Sequence, residues 1–439
     1  MTRHVRSIRS GSVLLALAFA ALLTLPLKAA LTTTAKPEEV GLSTERLKRI
    51  TDVVKKHIDA HNVAGVVTLV ARKGKIAYFD AQGMADIDGK RPMAKDAIFR
   101  LASMSKPIAG IAVMMLVEEG KIRLTDPVSR YIPEFKNLNK VAVPKPGAPP
   151  AGGGGGRGRA GGGGGEGVAF DVVSAAREIT IHDLLTHGSG LVSGGPGGAT
   201  AARVAPRTPT DTLATYIPKL AAVPLDFQPG TLWRYSGQAG FDTLSRIVEV
   251  VSGQTFDQYL KQRIFDPLGM KDTAFSLTPD RVGRLALQYQ RTENGLQRNG
   301  QDQPTTTPYF SGAGGLMSTA EDYVQFGQMM LNGGELNGKR LVSPRTIELM
   351  TSNHTGDMVN GQFGRPAHGM GFGLSMQVVQ DPVAADLRVS TGAYGWAGGT
   401  GVSFWVEPKE QIVSIFLIQG SGAGLRPDFE NAVRQAIVD

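Results

Sequence analysis

Apolar positions divide this chain into segments with two different periods. Leu47, Ile50, Val54 and Ile58 recur at helical spacing behind Ser43, whose hydroxyl suits the N-cap of such a helix. Residues 63–72 are β-rich, and after Lys73-Gly74 a second β-rich run extends from Lys75 to Gly83, so the two read as an antiparallel hairpin. The far end mirrors this order. Residues 400–407 and 411–419 are strand-like around Pro408-Lys409-Glu410, and an amphipathic helix from Asp428 to Val438 follows. Helix–hairpin at one end and hairpin–helix at the other predict one antiparallel sheet built from both termini and covered by the terminal helices. The middle carries mostly helical signal, including Thr180–Leu185, Thr210–Ala222 and Phe241–Ser252. The expected fold class is α/β (α+β). Residues 31–106 and 276–439 form the sheet part and 107–275 the helical part, with Ser103 where they meet.

One helix departs from the amphipathic pattern. Residues 107–119 are apolar almost all round, as expected of a helix buried at a domain centre. Pro107 is tolerated only near a first turn, which places Ser103 at or just before the helix start, and Gly120 supplies the stop. Ser103 and Lys106 lie three residues apart there, nearly one turn, so both side chains emerge on one face. An amine in reach of a hydroxyl can take its proton and make it nucleophilic, and the helix N-terminus adds positive potential where an oxyanion would form. Roughly one Ser-x-x-Lys arises by chance in a chain this long, so the pair needs support from elsewhere.

Two segments offer it. Tyr235-Ser236 lies in Gln228–Gln238, and a phenol beside an ammonium loses its proton more easily; the plain alternative is a tyrosine packed against Trp233. Tyr394-Gly-Trp-Ala-Gly-Gly-Thr-Gly401, just before the 400–407 strand, has glycines that let backbone N–H groups approach a ligand, the alternative being a plain hairpin turn. His57 and His61 sit four apart, but Ile58 stands where a metalloprotease-type motif carries Glu, and no third ligand is near; a solvated helix face is the better reading, and no metal site is expected.

Composition adds the compartment. The chain has 439 residues, 41% hydrophobic, ample for a large core. Arg3, Arg6 and Arg9 precede an uncharged apolar run from Ser12 to Leu27 and then Lys28-Ala29-Ala30, the layout of a secretory leader over residues 1–30 with a run short for a membrane span. A periplasmic or secreted location is expected, with an uncleaved leader as the only membrane contact. Without cysteine, disulfides and a lipidated N-terminal cysteine are excluded. The net charge of +8 includes four basic residues of the leader, and the remaining charges are interspersed, so nucleic acid is not an expected partner. Residues 144–167 contain two five-glycine runs and little apolar content and read as a disordered insertion; no Gly-Lys-Ser/Thr follows, which excludes a phosphate loop.

These motifs fall in an order that resembles the serine β-lactamase and penicillin-recognising superfamily, in the branch of class C β-lactamases, DD-peptidases and β-lactamase-like esterases and acyltransferases. The resemblance rests on Pro37–Leu42, Phe99–Lys106, Leu184–Leu191, Gln228–Ser236, Phe265–Met270, Gly314–Thr319 and Trp396–Gly399. It implies that Ser103 is acylated, that Lys106 and Tyr235 share the proton work, and that the Ser103 and Gly399 N–H groups form the oxyanion hole. It makes His187 a structural element beside the site, not a base. No Gly-x-Ser-x-Gly pentapeptide occurs, which counts against an α/β-hydrolase.

Two departures from the family pattern shape the expected substrate. Where β-lactamases and DD-peptidases carry Lys-Thr/Ser-Gly, this chain has Trp396-Ala397-Gly398, so a substrate-holding cation is replaced by an indole that favours neutral acyl and alcohol groups. Where relatives carry Tyr-x-Asn, it has Tyr235-Ser236-Gly237, with Gln238 the candidate to recover the lost amide contacts. The reading is an exported serine hydrolase cleaving carboxylic esters through a Ser acyl-enzyme without metal or organic cofactor, its expected partner a small-molecule ester or amide substrate. The alternatives are a β-lactamase or DD-peptidase, which would need another cation, and a catalytically weak binding module of the same fold.

Overall fold

The computed structural model describes residues 33–147, 168–299, 304–362, 364–420, 422 and 424–439. The leader and almost all of the glycine-rich insertion lie outside these residues. Helix α1 (Thr44–Asp59) starts at Ser43, whose Oγ accepts the Arg46 N–H at 3.3 Å. Strands β1 (Gly65–Arg72) and β2 (Lys75–Asp86) pair across Lys73-Gly74, both at positive φ (51° and 76°), the turn geometry that matches the twist of a two-residue hairpin. Strand β3 (Arg91–Pro92), helices α2 (Ser105–Glu118), α3 (Ile181–Leu185), α4 (Ala239–Ser252) and α5 (Ala320–Leu331) follow. Strands β4 (Met370–Phe372), β5 (Gln377–Val379), β6 (Tyr394–Ala397), β7 (Ser403–Glu407) and β8 (Ile412–Ile418) precede helix α6 (Leu425–Gln435).

The sheet has the order β4-β5-β6-β7-β8-β1-β2-β3, with its paired strands antiparallel. β8 pairs with β1, Val66 opposite Ile418 and Arg72 opposite Ile412, so both ends of the chain meet at its middle as expected. One face is closed by α1 and α6, with Leu47, Ile50 and Val54 packed with Phe416, Phe429 and Val433. The other face carries α5, which comes close because Gly327 has no side chain: a Cβ there would lie 2.5 Å from Val413. α2 is buried from Ser105 to Leu116 and packs against α4, which accounts for its apolar circumference.

Several elements differ from expectation. Tyr394–Ala397 is itself a strand, β6, and the glycines after it form the turn into β7. The last helix runs Leu425–Gln435, because Ile437 leaves it to bridge to Leu42. Within Thr210–Ala222 only Leu213–Tyr216 is α-helical; a tighter helix over Ile217–Ala222, with Pro218 near its start, completes it. Lys140–Pro144 and Phe170–Ser174 pair as short antiparallel strands on either side of the glycine-rich stretch. His57 is not on a solvated face: it is buried between α1 and α6, its Nε2 3.1 Å from Asp428 Oδ2, while exposed His61 lies past the helix end at φ 52°. Among the described residues no helix is long and apolar enough to cross a membrane.

Candidate active site

Ser103 lies in a single tight turn, Ala102–Met104, that leads directly into α2. Ala102 holds φ at 45°, a left-handed conformation that costs a non-glycine residue on the order of 1 kcal/mol and that turns the chain sharply at the serine. Lys106, wholly buried one turn on, donates from Nζ to Ser103 Oγ at 3.2 Å. It also donates to the carbonyls of Gly237 and Ala313, each at 2.7 Å. The Tyr235 hydroxyl donates to Ser103 Oγ at 2.6 Å. The serine therefore faces an amine and a phenol at once. The other serine of the motif, Ser105, is fully buried and accepts the Leu316 N–H at 3.1 Å, so it is spent on packing.

The turn after β6 closes the other side. Thr400 Oγ1 donates to the Arg100 carbonyl at 2.8 Å, and a Cβ on Gly398 would lie 2.2 Å from the Leu101 carbonyl oxygen. These contacts press residues 398–400 against the chain that leads into Ser103. The Gly398 N–H is used on the Val402 carbonyl (2.8 Å), whereas the Gly399 N–H has no acceptor among the described residues and open space beside its Cα. Trp396 and Ala397 end the strand beside this turn.

Trp396 is more enclosed than an open binding wall. It is buried, with Tyr235 at 5.7 Å and Phe372 edge-on at 5.3 Å between ring centroids. Arg365, from the loop before β4, places its guanidinium 4.9 Å from the ring centroids of both Trp396 and Trp233. Burial pushes the pKa of Arg365 down to about 10, which leaves it charged at neutral pH. A cation thus stands on the indole that replaces the family's lysine. Nothing in the sequence marks it, because a single arginine in a long loop carries no periodic or motif signal.

Gln238 does not take up the lost amide's contact with Lys106. It is exposed, immediately precedes α4, and its side chain makes no hydrogen bond among the described residues; the Gly237 carbonyl meets Lys106 instead. His187 is fully buried under Tyr235, with ring centroids 4.6 Å apart, and its Nδ1 accepts the Ser236 N–H at 3.2 Å. Burial, reinforced by Lys106 and Arg365, holds its pKa well below the ordinary histidine value. His187 is neutral and positions the Tyr235 segment.

That burial has a measurable cost in acid. A histidine that resists protonation when folded but titrates near 6.5 when unfolded contributes no pH dependence above about 6.5. Below that value it destabilises the fold by about 1.4 kcal/mol per pH unit, down to its folded pKa. His187→Gln keeps an acceptor for Ser236 N–H, so the stability gap between wild type and variant, measured by urea unfolding, should narrow as pH falls from 7 to 5.5. A constant gap would show that His187 is not held neutral.

Fold and site together define a serine hydrolase built on the β-lactamase fold. Residues 50–437 match the Beta-lactamase family, and the chain belongs to it. Protein Rv1367c of Mycobacterium tuberculosis is 34% identical over 371 residues, 82% of this chain and 87% of that protein. Esterase EstB of Burkholderia gladioli is 29% identical over 419 residues, covering 89% and 94% of the two chains. Among solved structures, EstCE1, a hydrolase with promiscuous acyltransferase activity, superposes with a TM-score of 0.71 at 26% identity, covering 90% of this chain and 99% of that one.

Proposed function

We propose that the protein is an exported serine hydrolase that cleaves small carboxylic esters through an acyl-enzyme at Ser103. The observation that carries this reading is the convergence of Lys106 Nζ and Tyr235 OH on one serine oxygen, at 3.2 and 2.6 Å. Two of the directions around Nζ are taken by the Gly237 and Ala313 carbonyls, and the third meets Ser103. In the neutral amine that third direction holds the lone pair, correctly aimed to receive a proton. As Oγ bonds to the ester carbonyl carbon, its proton passes to the Lys106–Tyr235 pair. The carbonyl oxygen becomes an oxyanion facing the Gly399 N–H and that of Ser103. Collapse of this intermediate breaks the bond to the alcohol oxygen, which leaves with the transferred proton. Water or a second alcohol then attacks the acyl-enzyme by the same steps in reverse.

Half-buried Tyr235, backed by the buried rings of Trp396, Phe372 and Trp233, gives the serine an apolar flank suited to uncharged acyl and alcohol groups, and similarity to an esterase and to a hydrolase with acyltransferase activity points the same way. Export rests on the leader read in the sequence over residues 1–30. One observation favours a second reading, a β-lactamase or DD-peptidase: Arg365 supplies the cation missing at position 396. Purified mature protein assayed in parallel on p-nitrophenyl butyrate and nitrocefin separates the two. The ester reading expects a kcat/KM for butyrate at least roughly a hundredfold above that for nitrocefin. A reversed ratio would replace it with the β-lactam reading.

A further inference from the structure

Asp242, on α4, is a fully buried carboxylate that takes no direct part in the acyl transfer. Its Oδ1 accepts the Ser311 hydroxyl at 2.6 Å and the Ala313 N–H at 3.1 Å, and its Oδ2 accepts the Tyr309 hydroxyl at 3.0 Å. All three donors belong to one short segment, residues 309–313. The Ala313 carbonyl of that same segment accepts from Lys106 Nζ. A second observation pins this segment to α4: a Cβ on Gly312 would lie 2.1 Å from Ser245 Oγ, so only glycine lets it approach so closely. Outside it, the Arg207 guanidinium stacks 3.9 Å over the Tyr309 ring.

Burying a carboxylate is costly unless its charge is used or matched. Burial outweighs its three donors and the Lys106 charge, so the pKa of Asp242 is raised above the ordinary carboxylate value. The charged and titratable groups around this core are few. Lys106 faces it from α2, Tyr309 from the 309–313 segment and Tyr216 from the Leu213–Tyr216 helix, while His187 and Tyr235 flank Lys106 on its other side.

We propose that Asp242 is the positioning residue of the catalytic amine: it clamps residues 309–313 so that the Ala313 carbonyl meets Lys106, and its buried charge balances that of the lysine. This inference rests on the assignment of Lys106 as a proton carrier. Without the clamp the Ala313 carbonyl is free to drift and the amine loses one of the two contacts that aim it at Ser103. Removing a buried negative charge disfavours positive charge in the groups beside it, so activity should extend to lower pH.

Asp242→Asn tests the charge alone, because the amide is isosteric and holds the clamp, its nitrogen donating to Tyr309 while its oxygen keeps Ser311 and Ala313; Asp242→Ala releases the clamp as well. On p-nitrophenyl butyrate, Asp242→Ala should lower kcat roughly ten- to hundredfold with KM little changed, whereas Asp242→Asn should act chiefly on the pH profile. The acid limb of the kcat/KM profile should move to lower pH. Tyr309→Phe, which removes one donor and leaves the carboxylate in place, should shift that limb in the same direction by less, and it serves alone if Asp242→Asn does not fold. A folded variant whose acid limb coincides with that of the wild type would overturn the proposal, whatever its kcat. Failure of the catalytic assignment itself would look different, since wild type would then neither turn over ester nor label with a fluorophosphonate.

Discussion

Ser103→Ala should lower kcat/KM for p-nitrophenyl butyrate by a factor on the order of 10⁴–10⁶ and leave the protein folded. The size follows from the geometry, in which Lys106 and Tyr235 both converge on this one oxygen. Ser105 cannot take over, because its Oγ is buried and bonded to the Leu316 N–H. The fold tolerates the change because Ser103 is half-buried and its hydroxyl is engaged by the two proton carriers, not by the core. The check is steady-state turnover beside intact mass after fluorophosphonate treatment. Wild type gains one adduct and the variant gains none. Turnover retained within tenfold would remove Ser103 from the mechanism, and an unlabelled wild type would favour the binding-module reading.

Lys106→Met should also be severe, lowering kcat by roughly 10²–10⁴, the range for loss of a positioned base. Its effect on stability is more instructive. Methionine matches the lysine stem and removes a fully buried cation, which relieves a desolvation cost. It also strands the buried Ala313 carbonyl, and an unsatisfied buried acceptor costs about 1–3 kcal/mol, while the carbonyl of exposed Gly237 can turn to water. The two effects oppose, so the expected outcome is a folded protein destabilised by about 1–3 kcal/mol and almost without activity. Urea unfolding together with the butyrate assay reads both. A variant with kcat within tenfold of wild type would show that Tyr235 alone can activate the serine.

Much of the scaffold was legible along the chain because its causes are local. The Ser43 cap, the Lys73-Gly74 turn, the apolar periods of α1 and β1, and the start of α2 after Ser103 each depend on a few neighbouring residues. The Ser103–Lys106 contact was legible for the same reason, since one helical turn joins them. The sheet's composition from both chain ends could also be inferred from element order. The extent of α6, the β6 strand and the paired strands beside the glycine-rich stretch could not, because they form only against partners distant in sequence.

The sequence by itself therefore determined the elements whose causes are local, the family resemblance and the serine–lysine pair. The tertiary structure decided what surrounds that pair. Tyr235 reaches Ser103 across 132 residues of chain, and Lys106 meets Gly237 and Ala313 across 131 and 207. Asp242, buried behind Lys106, and Arg365, laid over Trp396 and Trp233, have no sequence signature at all. Helical and strand periods record short-range steric and hydrophobic preferences. Hydrogen bonds and charges that close a site depend on where packing brings distant segments, and His57, read as solvated but buried against α6, shows the same limit outside the site.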